Sequence, residues 1–268
     1  MPRHGIFLAP FNDFADPGRV VSLAAAAEGA SWDGLFLWDH VIRRPEQALE
    51  VSDAYVVLAA VASATSRLRL GTMVTPIVRR RPQVLARQVA TLDVLSGGRF
   101  TLGLGLGVDS TGELSRFGEV VDARRRAAIL DEGADLVASL LSGEPVDHDG
   151  PHFQARGVQF RPKGLQEPRV PIWLAASAGR MRPLERAARY EGAFLIEASP
   201  EQIERSIARL SQLRGGLAGF EVAVLSGCGL SPSEMDGLGI AWSMYEVRPE
   251  AAGDEVRTVV AAGPPGAS

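Results

Sequence analysis

An aspartate and a histidine, Asp39 and His40, directly follow the apolar segment from Gly34 to Trp38. Because imidazole changes charge near neutral pH, a histidine beside a carboxylate can serve as a general acid or base. A hydrogen-bonded structural pair at the end of a strand is the alternative interpretation. The pair is the first candidate for proton transfer or substrate contact in this chain.

The glycine-rich run from Gly103 to Gly107, GLGLG, is the second candidate. Glycine lacks a side chain, so a flat ring can approach its backbone closely. The run is a poor dinucleotide fingerprint, because its spacing is G-x-G-x-G and no helix begins immediately after it. The four histidines lack a zinc-binding spacing, and the sequence contains neither a G-x-S-x-G elbow nor a P-loop. These observations favour a pocket in which a bound redox ring supplies the chemistry.

The elements that must position these residues are clearest from Leu68 to Val108, which is predicted to form strand, helix and strand. Pro76 ends the first strand, Pro82 suits the first turn of the helix, and Gly97-Gly98 suits its end. Two buried strands joined by one helix predict a parallel pair with a right-handed crossover.

The same alternation continues through the chain. The other predicted strands are His4 to Ala9, Gly34 to Trp38, Pro171 to Ala176, Ala193 to Ile196, Phe220 to Leu225 and Ile240 to Tyr245. The other predicted helices are Pro17 to Ala30, Asp53 to Ala64, Arg125 to Leu141, Pro183 to Arg189, Pro200 to Leu213, Ser231 to Asp236 and Gly253 to Ala262. Eight strand and helix pairs in 268 residues predict an α/β fold, a single TIM (β/α)8 barrel over residues 1–262, with its site at the carboxyl ends of the strands. A doubly wound open sheet is the rival fold, and residues 263–268 are expected to form a disordered tail.

Three shorter features complete the prediction of structure. The segment from Ser142 to Arg169 is expected to form a hairpin-like excursion before the fifth barrel strand. Asp93 and Arg99 flank a helix end and are interpreted as a pair that fixes the turn. The run Arg79 to Arg81 is interpreted as a solvated loop face, with a loop over an anionic cofactor or substrate as the alternative.

Composition excludes several functional classes. The chain has 28 Lys and Arg against 32 Asp and Glu, a net charge of −4, and therefore no basic field for nucleic acid. The lone cysteine, Cys228, excludes an internal disulfide framework and fits a reducing compartment. The sequence has neither a signal-peptide pattern nor the ~18 consecutive apolar residues of a membrane span. We therefore expect a cytoplasmic protein with neither nucleic-acid nor membrane partners.

The run TPIVRRRPQVLARQVATLDVLSGGRFTLGLGLG, residues 75–107, closely resembles the luciferase-like monooxygenase family of flavin and deazaflavin oxidoreductases. The segments LFLWDHV, DAYVVLAAVASATSRLRLG and RPLERAARYEGAFLI resemble the same family in order, so the resemblance covers about Gly5 to Ile196. It implies a TIM barrel that binds FMN or coenzyme F-420, and it implies a homodimer.

The resemblance also implies which residues hold the cofactor. The ring is expected to stack on a bulge with a non-prolyl cis peptide at Met73-Val74. Asp39 and His40 match the strand end that faces the reactive side of the ring. A loop of small residues and an arginine after the fifth strand, which includes Ala178, matches the phosphate site. The implied cofactor-binding residues are Thr72, Met73, Val74, Gly105, Leu106, Gly107, Ala176, Ser177, Gly179 and Arg180.

The chain departs from the family pattern at three places. Only Ser226 to Leu238 separates the seventh and eighth strands, where the family usually carries a long lid insertion. Gly105 occupies the position of the reactive cysteine of luciferase. Val108 and Asp109 occupy the region where the deazaflavin sugar-phosphate dehydrogenases of the family have a glutamate.

The resulting prediction is an FMN-dependent monooxygenase in which reduced FMN activates oxygen and a small organic substrate is oxidised. NAD(P)H or a flavin reductase would supply electrons, and Asp39 and His40 are the predicted catalytic residues. Hydride transfer with coenzyme F-420 is the first alternative, and a non-catalytic flavin-binding protein is the second. No metal site is expected, and the substrate is left open.

Overall fold

The computed structural model describes residues 1–43, 46, 49–177 and 179–265. The strands are β1 Arg3–Leu8, β2 Gly34–Leu37, β3 Arg69–Pro76, β4 Phe100–Gly105, β5 Val146–Asp149, β6 Gln154–Val158, β7 Ile172–Ser177, β8 Gly192–Ile196, β9 Glu221–Leu225 and β10 Trp242–Val247. The α-helices are α1 Pro17–Gly29, α2 Ala54–Ala64, α3 Pro82–Leu95, α4 Ala123–Ser142, α5 Met181–Ala187, α6 Pro200–Arg214, α7 Pro232–Gly237 and α8 Gly253–Ala261. Eight parallel strands close into a barrel in the order β1, β10, β9, β8, β7, β4, β3, β2. The predicted TIM barrel is therefore confirmed, and the open-sheet rival is wrong.

Helix starts follow from local side-chain chemistry. Asp53 caps α2 by accepting a hydrogen bond from the backbone N–H of Val56 at 3.0 Å, and Asp122 caps α4 in the same way through Arg125 at 2.8 Å. Each such cap stabilises its helix by about 1 kcal/mol. The caps explain why the predicted boundaries of these helices are correct to within about two residues.

Alternate residues of the strands point into the barrel. Phe36, Trp173 and Trp242 fill its interior, with the Phe36 and Trp173 rings stacked at 5.6 Å and the two tryptophan rings 5.9 Å apart. The opposite faces of the strands pack against the helices in a second, larger apolar cluster. Because the lower and middle barrel are filled, space for a ligand is confined to the carboxyl ends of the strands.

The predicted hairpin is formed by β5 and β6, which pair antiparallel. Glu132 of α4 holds it to the barrel, because its carboxylate contacts His148 Nε2 at 3.0 Å and accepts from the Phe153 N–H at 2.8 Å. The excursion is thus docked on α4 rather than extended into solvent.

The predicted pair between Asp93 and Arg99 is wrong. The buried Asp93 carboxylate instead accepts from the Leu165 N–H at 2.6 Å and from the Gln166 side-chain amide at 2.7 Å. Arg99 donates to the Leu68 carbonyl at 2.7 Å. Asp93 therefore binds a segment that follows α3 in the chain, and Arg99 binds one that precedes it.

The C-terminal tail is described only in part. The Gly263 N–H donates to the Val260 carbonyl at 3.1 Å, and Pro264 is buried. Residues 266–268 of the predicted disordered tail lie outside the described residues. Among the residues that are described, no helix combines the length and apolar character needed to cross a bilayer.

Candidate active site

A backbone irregularity between β3 and β4 shapes one side of the barrel mouth. The register of the two strands shifts between Thr72 and Thr75, and the Met73–Val74 peptide bond is cis. The cis peptide implied by the family resemblance is therefore confirmed in position.

Side chains on the outer face of the barrel support this bulge. The Tyr55 hydroxyl lies 2.8 Å from Thr75 Oγ1, which donates to Thr72 Oγ1 at 3.1 Å, and Thr72 donates in turn to the Gly103 carbonyl. Burial, reinforced by the Asp39 charge, raises the pKa of Tyr55, so this chain of hydroxyls stays neutral. Thr72, a predicted cofactor residue, is fully buried and contributes to the support of the bulge.

The glycines of β4 allow the bulge and the strand to approach each other. A Cβ atom on Gly105 would collide with the Val74 side chain, and one on Gly107 would lie 2.9 Å from Pro76. Gly107 also has a φ of +72°, which side chains disfavour. Leu106 lies between them, partly buried against the outer core cluster. The predicted ring-binding segments of β3 and β4 are therefore neighbours at the mouth.

His40 binds a residue that the sequence reasoning missed. Its Nδ1 lies 2.8 Å from Glu113 Oε2, and the N–H of Val41 donates to Glu113 Oε1 at 2.6 Å. The Glu113 side chain is 2% exposed and that of His40 is 14% exposed. Burial raises the pKa of Glu113, but the hydrogen bond from His40, the charge of Arg79 and the hydrogen bond from the Val41 N–H outweigh it and lower the pKa below its usual value. The structure thus presents an ionised carboxylate behind a partly accessible imidazole.

Glu113 reaches this position because the loop after β4 folds back on itself. Asp109 Oδ1 accepts from the backbone N–H groups of Leu114 at 2.7 Å and Ser115 at 3.0 Å. Asp109 therefore shapes the loop, and Glu113, four residues later, supplies the buried carboxylate beside His40.

Asp39, the other predicted catalytic residue, has a different partner from His40. Both of its oxygens accept from Arg80, at 2.9 Å from Nε and 2.6 Å from Nη2. Burial alone lowers the pKa of Arg80, but its bonds to Asp39 raise it above the usual value. The structural alternative of a bonded Asp39 and His40 pair is wrong, because the two side chains bind separate partners.

The prediction of a solvated arginine run is wrong for two of its three members. The side chains of Arg79 and Arg80 are 6% and 16% exposed, and both contact Asp39. Arg81 alone is exposed. The buried carboxylates of Asp39 and Glu113 draw the first two guanidinium groups inward, because an unpaired charge is costly away from water.

The predicted phosphate loop follows β7, which pairs with β4 in the barrel. Ala176 is buried and Ser177 ends the strand, while Ala178 lies outside the described residues. The Gly179 N–H donates to Ser206 Oγ at 3.2 Å, and the exposed Arg180 precedes α5. These residues lie at the same end of the barrel as the bulge.

A cleft of about 370 Å³ occupies the other side of the mouth, at the ends of β8, β9 and β10. Glu246 of β10 faces inward, because it pairs in register with the inward-facing Phe7. Its side chain has neither an ion pair nor a hydrogen bond to another residue in the described parts of the chain. Residues lining the cleft are Leu195, Glu197, Ala198, Leu225, Ser226, Gly227, Cys228, Tyr245, Glu246 and Arg248.

Comparison with known proteins gives the chain a family. The sequence pattern described as luciferase-like monooxygenase matches residues 3–229. The F420-dependent glucose-6-phosphate dehydrogenase of Beutenbergia cavernae is 34% identical over 172 residues, which is 64% of this chain and 50% of that protein. The enzyme of the same name from Nocardia farcinica is 33% identical over 179 residues, 66% of this chain and 51% of that protein. The chain thus spans about half the length of the curated relatives it matches.

Solved structures show the same fold. An F420-dependent secondary alcohol dehydrogenase superposes with a TM-score of 0.73 at 20% identity, covering 97% of this chain and 82% of that one. The monooxygenase RslO1 from Streptomyces bottropensis superposes with a TM-score of 0.72 at 25% identity, covering 88% and 75%. Together with the closed barrel, the extent of the sequence match shows that this chain belongs to the luciferase-like monooxygenase family of oxidoreductases.

Proposed function

We propose that this protein transfers a hydride between a small alcohol or carbonyl compound and coenzyme F-420, with His40 as the proton acceptor. The observation that carries the proposal is the contact between His40 Nδ1 and the buried Glu113 carboxylate at 2.8 Å. Oxidation of an alcohol removes a hydride from carbon and a proton from oxygen, so the site needs a base as well as a hydride acceptor.

The contact fixes which nitrogen of His40 can act as that base. An ionised carboxylate only accepts hydrogen bonds, so Nδ1 carries the proton toward Glu113 and the lone pair lies on Nε2. No described residue makes a hydrogen bond to Nε2, and the side chain remains 14% exposed. Nε2 is therefore available to a substrate hydroxyl at the barrel mouth.

The residues at the mouth suit a flat cofactor ring. The backbone of the Met73–Val74 bulge and of Gly105 to Gly107 offers a surface with few side chains, and Ser177, Gly179 and Arg180 would hold a phosphate. When bound, the deazaflavin supplies the position that accepts or donates the hydride. The protein's own part is to orient the ring and substrate and to hold the proton at His40.

Relatives support this choice of cofactor. The matched F420-dependent glucose-6-phosphate dehydrogenases are 30–35% identical over their aligned parts. Because this chain covers about half of their length, the proposal includes their cofactor and hydride transfer but not their sugar-phosphate substrate.

An FMN-dependent monooxygenase, the first prediction from the sequence, is the second candidate. The similarity to the monooxygenase RslO1 favours it, as do the partly buried apolar side chains of Trp38, Val74, Ile196 and Leu225 around the mouth. NAD(P)H or a flavin reductase would then supply electrons. The contact between His40 and Glu113 disfavours the third candidate, a non-catalytic flavin-binding protein, because such a protein needs no base at the barrel mouth.

The test is to measure the dissociation constants of the anaerobic protein for F-420 and FMN, in oxidised and reduced forms. Small secondary alcohols are then added to the F-420 complex, and loss of its absorbance is followed. We expect tighter binding of F-420, reduction by alcohols, and no oxygen consumption. His40→Ala should retain cofactor binding and lose turnover, whereas the exposed His152→Ala should retain both. Preferred binding of reduced FMN with substrate-dependent oxygen consumption would establish the monooxygenase instead.

A further inference from the structure

Arg79 is a deeply buried cation beside the proposed active site. It ends the short turn Ile77–Arg79 after β3, and its side chain is 6% exposed. Its Nη2 donates to the Asp39 carbonyl and lies 3.8 Å from Glu113 Oε1 and 4.0 Å from Asp39 Oδ1. Its Nε is buried and has no hydrogen-bond partner in the described parts of the chain. Arg79 is therefore held by charge more than by a full set of hydrogen bonds.

The charges around His40 show what Arg79 balances. Asp39 is matched by Arg80, which donates two hydrogen bonds to it and also lies 3.7 Å from the half-exposed Asp53. Glu113 makes no such bidentate contact with a cation of residues 1–43, 46, 49–177 and 179–265. Among the charged side chains of the described residues, its negative charge has His40 and Arg79 within 4 Å.

Among the described residues, the other side chains that lie against the His40 ring are aromatic. The rings of Phe11 and Trp38 lie 5.6 Å and 5.8 Å from its imidazole. The guanidinium group of Arg43 lies over the Trp38 ring, 5.7 Å from its centre. In the part of the chain that the structure describes, the ion-pair contact of His40 is therefore with Glu113, and Arg79 lies behind that carboxylate.

We propose that Arg79 is a positioning residue that balances the charge of Glu113, so that His40 stays neutral and its Nε2 can accept the substrate proton. The role of Arg79 in proton transfer rests on the proposed function, whereas its effect on the charge of Glu113 does not. Without Arg79, a protonated imidazole would be the one described cation left within 4 Å of the Glu113 carboxylate. An imidazole that already holds its second proton cannot act as a base.

The experiment follows the ring ¹⁵N chemical shifts of His40 against pH in the ligand-free protein. In Arg79→Met, we expect the titration midpoint of His40 to move upward by about one pH unit, equivalent to about a tenfold change in proton affinity. The matched control is Arg81→Met, which removes the exposed neighbouring charge and should leave the midpoint in place. Arg79→Lys keeps the charge and should restore most of the parent behaviour.

A double-mutant cycle separates charge balance from general disruption. In a Glu113→Gln background, Arg79→Met should no longer raise the midpoint, because the charge that Arg79 balances is gone. An unchanged midpoint in Arg79→Met, or an equal upward shift in the Glu113→Gln background, would overturn the proposal. If Arg79→Met does not fold, Arg79→Gln removes the charge while keeping an amide donor, and the same outcomes apply.

A kinetic readout connects the inference to turnover. In the F-420 complex, the acidic limb of the pH profile of kcat should move upward in Arg79→Met by the same amount as the NMR midpoint, while the affinity for F-420 stays unchanged. A shifted midpoint in a protein that oxidises no alcohol would reject the proposed function and leave the charge balance standing. A shifted midpoint with an unshifted kinetic profile would reject the role of Arg79 in catalysis.

Discussion

In the proposed reaction, Glu113 lets His40 act as a base, because its buried carboxylate accepts the Nδ1 proton and leaves Nε2 free of a proton. Replacing it with glutamine keeps the shape but removes the negative charge and one of the two acceptor oxygens, so either the His40 Nδ1–H or the Val41 N–H loses its acceptor. We expect kcat for alcohol oxidation to fall about 100-fold or more in Glu113→Gln, with little change in cofactor affinity. Glu119→Gln, in the same loop, is the matched control and should keep parent turnover. Equal rates for the two variants would show that Glu113 has no part in proton transfer.

The contrast between His40 and Glu113 also shows what could be predicted at this scale. His40 immediately follows a recognisable strand, so its place at the mouth was predictable from sequence. Glu113 lies in an irregular segment whose path depends on hydrogen bonds from Leu114 and Ser115 to Asp109. Such turns have no hydrophobic period, and the partner of Glu113 is 73 residues away in the chain. The contact of Glu113 with His40 could therefore be found only from the three-dimensional structure.

Single carboxylates that bind several backbone N–H groups join neighbouring elements of the barrel. Glu28, near the end of α1, accepts from the N–H groups of Ser66 at 2.9 Å and Leu68 at 2.9 Å, and from that of Arg67 at 2.5 Å. Burial raises the pKa of Glu28, but these donors outweigh it and lower the pKa from 4.5 to about 2. The carboxylate thus holds the turn that leads from α2 into β3.

This lowered pKa predicts an acid-dependent loss of stability. A group whose folded pKa is lowered stabilises the fold fully above its unfolded pKa, and the stabilisation disappears as pH falls from about 4.5 toward about 2. We expect Glu28→Gln to lower the free energy of unfolding at pH 7 by about 1–2 kcal/mol, a value reduced for partial exposure of the side chain. The difference from the parent should shrink below pH 4 in urea titrations. Glu144→Gln, an exposed control, should match the parent, and a pH-independent difference for Glu28→Gln would contradict this account.

Element boundaries were predictable because their signals are local. Pro82, Pro200 and the capping residues Asp16 and Asp53 mark helix starts within one turn of the chain. The partners of Asp93, Arg79 and Arg80 were not predictable in this way. Asp93 binds a segment 72 residues later, and Arg80 binds Asp39, which lies 41 residues earlier. From sequence, charged side chains near a helix end are expected to pair with their neighbours in the chain. In the folded barrel, segments distant in sequence lie closer to Asp93 and Arg80 and bind them instead.

At the scale of the whole barrel, the mouth has two chemically different sides. The side formed by β2, β3 and β4 carries His40, Glu113 and the bulge at Met73–Val74, all within the part of the chain that matches the family pattern. The opposite side is completed by β10, which lies beyond the matched residues 3–229. The connection between β9 and β10 spans only residues 226–241 and includes the short helix α7. We infer that the shared side sets the cofactor chemistry and that the other side selects the substrate.

On the opposite side of the mouth, Glu246 is the residue that we expect to affect substrate selectivity most. It faces into the mouth from β10, and the cleft beside it is also lined by Glu197 and by a single arginine, Arg248. An inward carboxylate without a cationic partner in the described residues repels an anionic group on a substrate and attracts a hydroxyl or ammonium group.

We therefore expect neutral alcohols to react with a kcat/KM about tenfold higher than that of their phosphorylated counterparts, and Glu246→Gln to narrow the ratio to about threefold. Glu204→Gln, on the exposed face of α6, is the control and should preserve the ratio. Because the effect is electrostatic and the mouth is open to solvent, raising the salt from 50 mM to 500 mM should also narrow the ratio in the parent protein, by about the same factor as the substitution. A preference for phosphorylated alcohols that persists in Glu246→Gln would place the anion near Arg248 or Arg180, and it would mean that the cleft is not governed by its carboxylates.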